Sequence, residues 1–336
     1  MLARPAFCLR IVSRSLRKVR WAVLAALPAL LVTQPLVAQD TKSEDKPAEV
    51  SPPSPTASSP EAAPLVWHTD YVQAMKVARE EGKLLFVFFH NGEDDKARQM
   101  FEARSLSDGK VLDSLGSFVV AKVPVTAKIK EKGNEITILS HGAYETMLNR
   151  QGVAIVDLKN KGTPHYGYTV TTFPFDPGHY CTPEALRVLT TLPDGTLTQR
   201  TMVFAVRIHP ESPASTEGEA HPILVTEAEK HSVHQAAIRL QGHHQWDYRF
   251  QDISARISDA GSHPTEVCAE SWPGKTLVDA AIDCVHSWRQ SPGHWSAVRA
   301  RHGLFGYDMK RGANGIWYAT GIFSTDDGRR RTRPRS

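Results

Sequence analysis

Cysteine is scarce in this sequence: four in 336 residues, none of them at Cys-x-x-Cys spacing. Dithiol exchange needs a thiolate nucleophile, so disulfide oxidoreductase chemistry is excluded. The sequence also has no Gly-x-x-x-x-Gly-Lys-Ser/Thr phosphate loop and no Gly-x-Ser-x-Gly elbow, which removes the nucleotide cradle and the serine-hydrolase turn. A true excess of one charge is missing too. The formal charge is +4, but six basic residues crowd the first twenty positions (Arg4, Arg10, Arg14, Arg17, Lys18, Arg20) and five more the end (Arg329, Arg330, Arg331, Arg333, Arg335). Only Asp326 and Asp327 leave with them, so the body keeps 29 basic residues against 34 acidic ones. A mildly acidic body argues against nucleic-acid binding. The length suits about two domains of ordinary size.

The basic N-terminus runs into an apolar stretch, Trp21 to Ala38, interrupted by Pro28 and Pro35. Basic start, apolar run and small residue at Ala38 read as a secretory signal, 1–38, with an uncleaved anchor as the alternative. Either one places the rest outside the cytoplasm, secreted or in the periplasm or cell envelope, and the anchor would associate it with a membrane. No twin-arginine pair precedes the run and no cysteine follows it directly, which disfavours twin-arginine export and a lipoprotein anchor. Beyond it stand Cys181, Cys268 and Cys284, an odd number, so at least one thiol stays unpaired within the chain. Cys268 and Cys284 either pair or pack as buried thiols. Residues 39–64 are rich in Pro, Ser and Ala with almost no large apolar side chain, and read as a disordered linker.

Helix and strand signals then alternate. Asp70 to Gly82 places Tyr71, Ala74, Met75 and Ala78 on one helical face, and Lys83 to Phe89 is a continuous apolar run, as in a strand buried on both faces. Helix signals follow over Asp94 to Arg104, and further apolar runs span Phe118 to Val125, Val153 to Leu158 and Tyr166 to Thr171. This is an α/β layered pattern. The order from Trp67 through Glu81-Gly82-Lys83 to the apolar strand, a short loop and a helix resembles the thioredoxin-like family over residues 65–175. The loop His90-Asn91-Gly92-Glu93-Asp94-Asp95-Lys96 carries no cysteine, and Gln151-Gly152-Val153 stands where the family places a proline before a strand. The resemblance therefore implies a redox-inactive domain that scaffolds or binds; His90 reads as a surface histidine in a loop, with a residual functional residue as the alternative.

The segment 176–222 reads as a connection. Leu192-Pro193-Asp194-Gly195-Thr196 signals a turn, Thr201 to Ile208 a strand, and His209 to His221 a long loop. From Ile223 the pattern becomes helical. Thr226 with Glu229 suggests a capping box; Ala228, His231, Gln235 and Ile238 share a helical face; further helices are expected over Trp246 to Ile257 and Lys275 to Ser287. Asn314-Gly315 between the apolar stretches Leu304 to Met309 and Ile316 to Phe323 signals a hairpin.

The most informative segment is Trp288-Arg289-Gln290-Ser291-Pro292-Gly293-His294-Trp295. Ser291 suits an N-cap and Pro292 the first helical position, which puts His294 in the first turn, at the positive end of the helix dipole. A histidine there tends to stay neutral and can serve as ligand or base. The motif Trp288-x-x-Ser291-Pro292-Gly293-His294, together with Ala269-Glu270-Ser271 and His243-His244-Gln245-Trp246-Asp247-Tyr248-Arg249, resembles the bacterial SCP-like form of the CAP superfamily over residues 223–324. The resemblance implies an α-β-α sandwich with a cleft containing His243, Glu270 and His294 as its polar cluster. His244 stands as the alternative to His243, and Ser291 and Trp295 line the same cleft. Ser291 replaces the second acid of animal members.

The expected whole is an α/β multidomain protein: a thioredoxin-like domain, a CAP-type sandwich and a basic disordered tail, 325–336. The leading function is non-catalytic binding of an extracellular or envelope ligand (lipid, peptide or polysaccharide). The alternatives are a metal-assisted hydrolase, with Glu270 as acid or base, and a structural protein of the envelope. No cofactor is certain; with the fourth residue missing, a metal-free polar cluster is favoured over a divalent metal such as zinc on His243 and His294. Glu270 also has a plainer role available as a partner of Arg249, and Trp246, Trp272, Trp288 and Trp295 read as core and cleft walls.

Overall fold

The computed structural model describes residues 65–257 and 263–324, which lie within one compact unit, Ser58–Ser336. The expected signal, linker and tail at 1–38, 39–64 and 325–336 lie outside the described residues. No helix among the described residues is long and apolar enough to cross a membrane.

The first sheet is assembled from β1 (Trp67–His68), β2 (Leu84–His90), β3 (Phe118–Pro124), β6 (Gly152–Val156) and β7 (Thr169–Pro174), in the order β1-β3-β2-β6-β7. The pairings among β1, β3 and β2 are parallel, while β6 and β7 run antiparallel. Strands β4 (Lys128–Glu131) and β5 (Asn134–Thr137) form a separate hairpin. Helices α1 (Tyr71–Glu81), α2 (Lys96–Met100, continued by a π turn over Phe101–Ser105) and α3 (Gly109–Leu115) join the strands. Asp70 caps α1 by accepting the Gln73 N–H at 2.9 Å, and Gly82 ends it in the left-handed region, where a missing Cβ removes the steric penalty. The apolar run expected as a central strand is β2. Phe86 and Phe88 enter one apolar cluster, while Leu85, Val87 and Phe89 enter the cluster on the opposite face.

Between the halves the sequence expectation needs correcting. Thr201 to Ile208 is not a strand but most of α5 (Leu197–Arg207), preceded by α4 (Pro183–Thr190). Val203, Phe204 and Val206 favour strands by propensity. The helix wins because Thr196 and Gln199 close a capping box at its start, satisfying two otherwise orphaned N–H groups. Leu186, Leu189, Met202 and Phe204 belong to the same apolar cluster as Phe86 on one side and Trp288 on the other.

The second sheet has the order β8-β10-β11-β9, with β8 (Glu219–Ala220) parallel to β10 (Leu304–Arg311), and β10, β11 (Trp317–Ser324) and β9 (Thr265–Glu270) antiparallel in turn. Helix α6 (Pro222–Ile238) packs on β10 and β11, while α5 packs on β10 and α8 (Leu277–Gln290) on β9 and β11. Helices α7 (Trp246–Ile257) and α9 (Pro292–Arg299) complete the region. Gly306 explains how closely α6 sits: a Cβ there would lie 2.2 Å from the backbone carbon of Leu224. Helix α6 begins at Pro222 with His221 as N-cap, so Thr226 is an interior residue rather than the expected cap; proline at the first helical position sets the start instead.

Two buried charges tie α5 into this arrangement. The Asp308 carboxylate accepts from Thr198 Oγ1 (2.5 Å) and the Met309 N–H (2.8 Å), and pairs with Lys310 Nζ (2.8 Å), which also reaches Glu229 (3.0 Å). Arg200, 2% exposed, donates to Thr171 Oγ1, Leu192 O and Pro193 O; burial lowers its pKa to about 10, so it remains charged at neutral pH. All three described cysteines are free and buried, so Cys268 and Cys284 are not paired. Cys268 faces the α6 side with His243, whereas Cys284 of α8 lies in the apolar cluster on the other face of β9, with Val267 and Ala269, the strand neighbours of Cys268.

Because Asp308 of β10 accepts from Thr198 of α5, the variant Asp308→Ala should destabilise the protein by about 2 kcal/mol in urea unfolding, since the Thr198 hydroxyl loses its acceptor and Lys310 keeps only Glu229 as a carboxylate partner. A loss under about 1 kcal/mol would show that the buried pair contributes no net stability.

Candidate functional site: an oriented imidazole pair

The site grows from the polar face of α6. His231, Ser232 and Gln235 are buried against the sheet, where an unpartnered polar atom is costly, and each finds a partner. Ser232 Oγ donates to Asp308 O (3.0 Å), and Gln235 Nε2 donates to Thr320 Oγ1 (2.9 Å). The remaining capacity reaches the loop between α6 and α7. Gly242 N–H donates to Gln235 Oε1 (3.0 Å), and His231 Nε2–H donates to Gly242 O (2.8 Å). Gln241 Nε2 adds a bond to Cys268 O at 3.3 Å. The loop is bracketed by two non-glycine residues in the left-handed region, Arg239 (φ 57°) and Gln245 (φ 55°), a strained backbone held by these bonds.

The clamped loop delivers His243 to the surface. Its Nδ1–H donates to Glu266 Oε1 at 3.0 Å, and its Nε2 stands 3.3 Å from His294 Nε2. The carboxylate bond fixes the tautomer: with the proton on Nδ1, the Nε2 lone pair of His243 faces His294. The other Glu266 oxygen is engaged by Arg249, whose guanidinium also lies over the Trp246 ring. Side-chain exposure is 1% for Glu266 and 41% for His243, so the acid is interior and the imidazole reaches solvent. Burial opposes the charge on Glu266, but the bonds from His243 and Arg249 outweigh it and hold its carboxyl below the usual range. Burial, reinforced by the neighbouring His243, lowers the pKa of His294.

His294 occupies the first turn of α9 as expected, with Ser291 at the N-cap position. The Ser291 hydroxyl makes no capping bond; its backbone N–H instead ends α8 on Trp288 O (3.0 Å), and its carbonyl accepts from Trp295 N–H (2.8 Å). The structure thus brings together His243 and His294 of the expected cluster. Glu270 is not the acid that joins them. It sits at the exposed end of β9, opposite Tyr318, and it is Glu266 that holds both His243 and Arg249. His244 turns away, donating from Nε2 to Leu240 O (3.2 Å), with its ring 5.4 Å from that of His234. Trp295 is buried, its Nε1–H donating to Glu211 (3.0 Å) and its ring against His209, so it is core rather than cleft lining. Trp288 is core as expected, but Trp272 is 73% exposed.

Sequence reasoning missed Glu266 and the buried His231. Thr265 to Glu270 alternates, with Val267 and Ala269 in the apolar cluster, and an acid among inward positions hides a strand signal. Behind the pair, His231, Glu266 and Cys268 bring a nitrogen, an oxygen and a sulfur within 4.8 Å of one another, a set able to hold a metal ion. Its donors are otherwise engaged, however: His231 Nε2–H is spent on Gly242, and burial, followed by the Glu266 charge, raises the Cys268 thiol pKa well above its ordinary value, which disfavours the thiolate a metal needs.

Burial also holds His231 at a pKa of about 4. The unfolded chain binds this proton more readily than the folded one between pH 6.5 and 4, so the associated stability is complete above 6.5 and lost as pH falls. In chelator-treated protein, His231→Gln should remove about 2 kcal/mol of the stability difference between pH 7.5 and pH 5, measured by urea unfolding; an unchanged pH slope would contradict a neutral His231. No protein-family model matches this sequence, and no match is found among curated proteins.

Proposed function

We propose that this is an exported binding protein, acting outside the cytoplasm, whose recognition site is the His243–His294 pair with a divalent cation of the zinc type held between the imidazoles. The observation that carries this reading is the 3.3 Å separation of the two Nε2 atoms, with one ring oriented by a buried carboxylate. Two nitrogens bound at about 2.0 Å to a tetrahedral zinc stand roughly 3.3 Å apart. A carboxylate on the far nitrogen of a ligating histidine is the usual outer support of such sites. When bound, the cation would supply Lewis acidity to an oxygen of the ligand. The residues themselves do the positioning: Glu266 fixes the His243 tautomer, Arg249 keeps Glu266 ionised, and α9 places His294.

Binding fits this geometry better than hydrolysis. With both imidazoles serving as ligands and both Glu266 oxygens committed, to His243 and to Arg249, none of these side chains is left to act as a general base. The β1-β3-β2-β6-β7 order and the helices on both faces of the second sheet support the thioredoxin-like and CAP-like resemblances. Together with the basic-apolar N-terminus, they support an envelope or extracellular ligand such as a lipid, peptide or polysaccharide.

Zinc titration calorimetry on the full chain should show one site, abolished in His243→Ala and in His294→Ala and weakened about 10- to 100-fold in Glu266→Gln. No binding in the wild type, or binding that survives loss of both histidines, would reject the cation and leave the pair as an N–H···N hydrogen bond. Fractionation followed by N-terminal sequencing tests export: a mature chain beginning near residue 39 outside the cytoplasm is expected, and a cytoplasmic chain keeping Met1 would overturn it.

A further inference from the structure

A cleft of about 560 Å³ opens between β7, α4, α5 and the start of α8, and neither His243 nor His294 lines it. That volume is in the range of small-molecule sites. Its lining is mixed, and the apolar part comes from Phe173 and Pro174 of β7, Val188 of α4, Ile208 just beyond α5, and Val278 and Ile282 of α8. All six are only partly buried, so each leaves apolar surface open to an occupant.

The charges around it decide what kind of occupant fits. Two of its carboxylates are paired with arginines, and the third is held by a hydroxyl at a helix start. Asp176 pairs with Arg150 at 2.9 Å, Glu184 with Arg187 at 3.3 Å, and Asp279 accepts the Thr276 hydroxyl at 2.7 Å in the first turn of α8, where the helix dipole favours an anion. Arg207 differs. Its Nε, Nη1 and Nη2 donate to Thr216 Oγ1 (3.2 Å), Thr191 O (3.1 Å) and Thr216 O (3.1 Å). These are neutral acceptors, and among the described residues no carboxylate pairs with it. Two of the five guanidinium N–H groups are left over. His209 adds a second donor. Its Nδ1 accepts the Glu211 backbone N–H at 3.2 Å, so the neutral ring carries its proton on Nε2.

We infer that this cleft is a second ligand site, built for an amphipathic anion: a free aliphatic carboxylate of medium chain length, its chain along the apolar wall and its carboxylate at Arg207 and His209. The inference is independent of the imidazole pair, and the test separates them. Calorimetry on the full chain with decanoate should give one saturable site, and His243→Ala should leave it intact. Filling the cleft from either wall, with Ile282→Trp or Val188→Phe, should weaken decanoate about tenfold or more; two variants guard against one failing to fold. Arg207→Gln should weaken decanoate by a similar factor and leave decanol binding unchanged. No saturable decanoate binding, or binding indifferent to both filling variants, would overturn the site. Equal losses for decanoate and decanol in Arg207→Gln would overturn the anion assignment.

Discussion

A polar group taken out of water must be satisfied by the protein, and on the α6 side of the second sheet this requirement governs everything else. Helix α6 turns His231, Ser232 and Gln235 inward rather than a uniformly apolar face. Glycine at position 306 lets it approach closely enough for those side chains to reach the sheet and the loop beyond. Hydrogen bonding is directional where apolar packing is not, so the loop carrying His243 is fixed in position as well as held down. The orientation of the imidazole pair is therefore a property of the interior, expressed at the surface.

The same requirement joins the two sheets. Asp308 lies on β10, yet it is satisfied from α5 by Thr198, and Arg200 of the same helix is satisfied from β7 and the turn before it. Helix α5 works as a shared wall, apolar through Met202 and Phe204 and polar at both margins. The cleft beside it is what remains where α4, α5 and α8 do not close completely. The imidazole pair and the cleft thus draw on different elements.

Strong local signals were legible in the sequence. The apolar run of β2, the helix Trp246–Ile257 and the Asn314-Gly315 hairpin all read directly from period or turn chemistry. Thr201 to Ile208 misled because its β-branched residues outweighed the Thr196–Gln199 capping box, a signal that was present three residues apart. Half of the site followed from Ser291-Pro292-Gly293-His294, whose local chemistry sets the start of α9. Glu266 could not be found in this way. Its partners His243 and Arg249 come from a different part of the fold, and nothing within β9 distinguishes its acid from Glu270 until the strand is paired and one of the two is buried.

The order of strands in the second sheet also bears on how the chain is made. The two strands at its centre, β10 and β11, come after every other element of that sheet. During synthesis α6 emerges before the two strands it packs on, while α5 and α8 can already pack on each other, on β7 and on β9. The first sheet has no such delay. Loss of only a short stretch upstream of Ser324 would remove a central strand rather than trim an edge. A chain cut just before Leu304 would lose both central strands at once and uncover the inward face of α6 that packs on them.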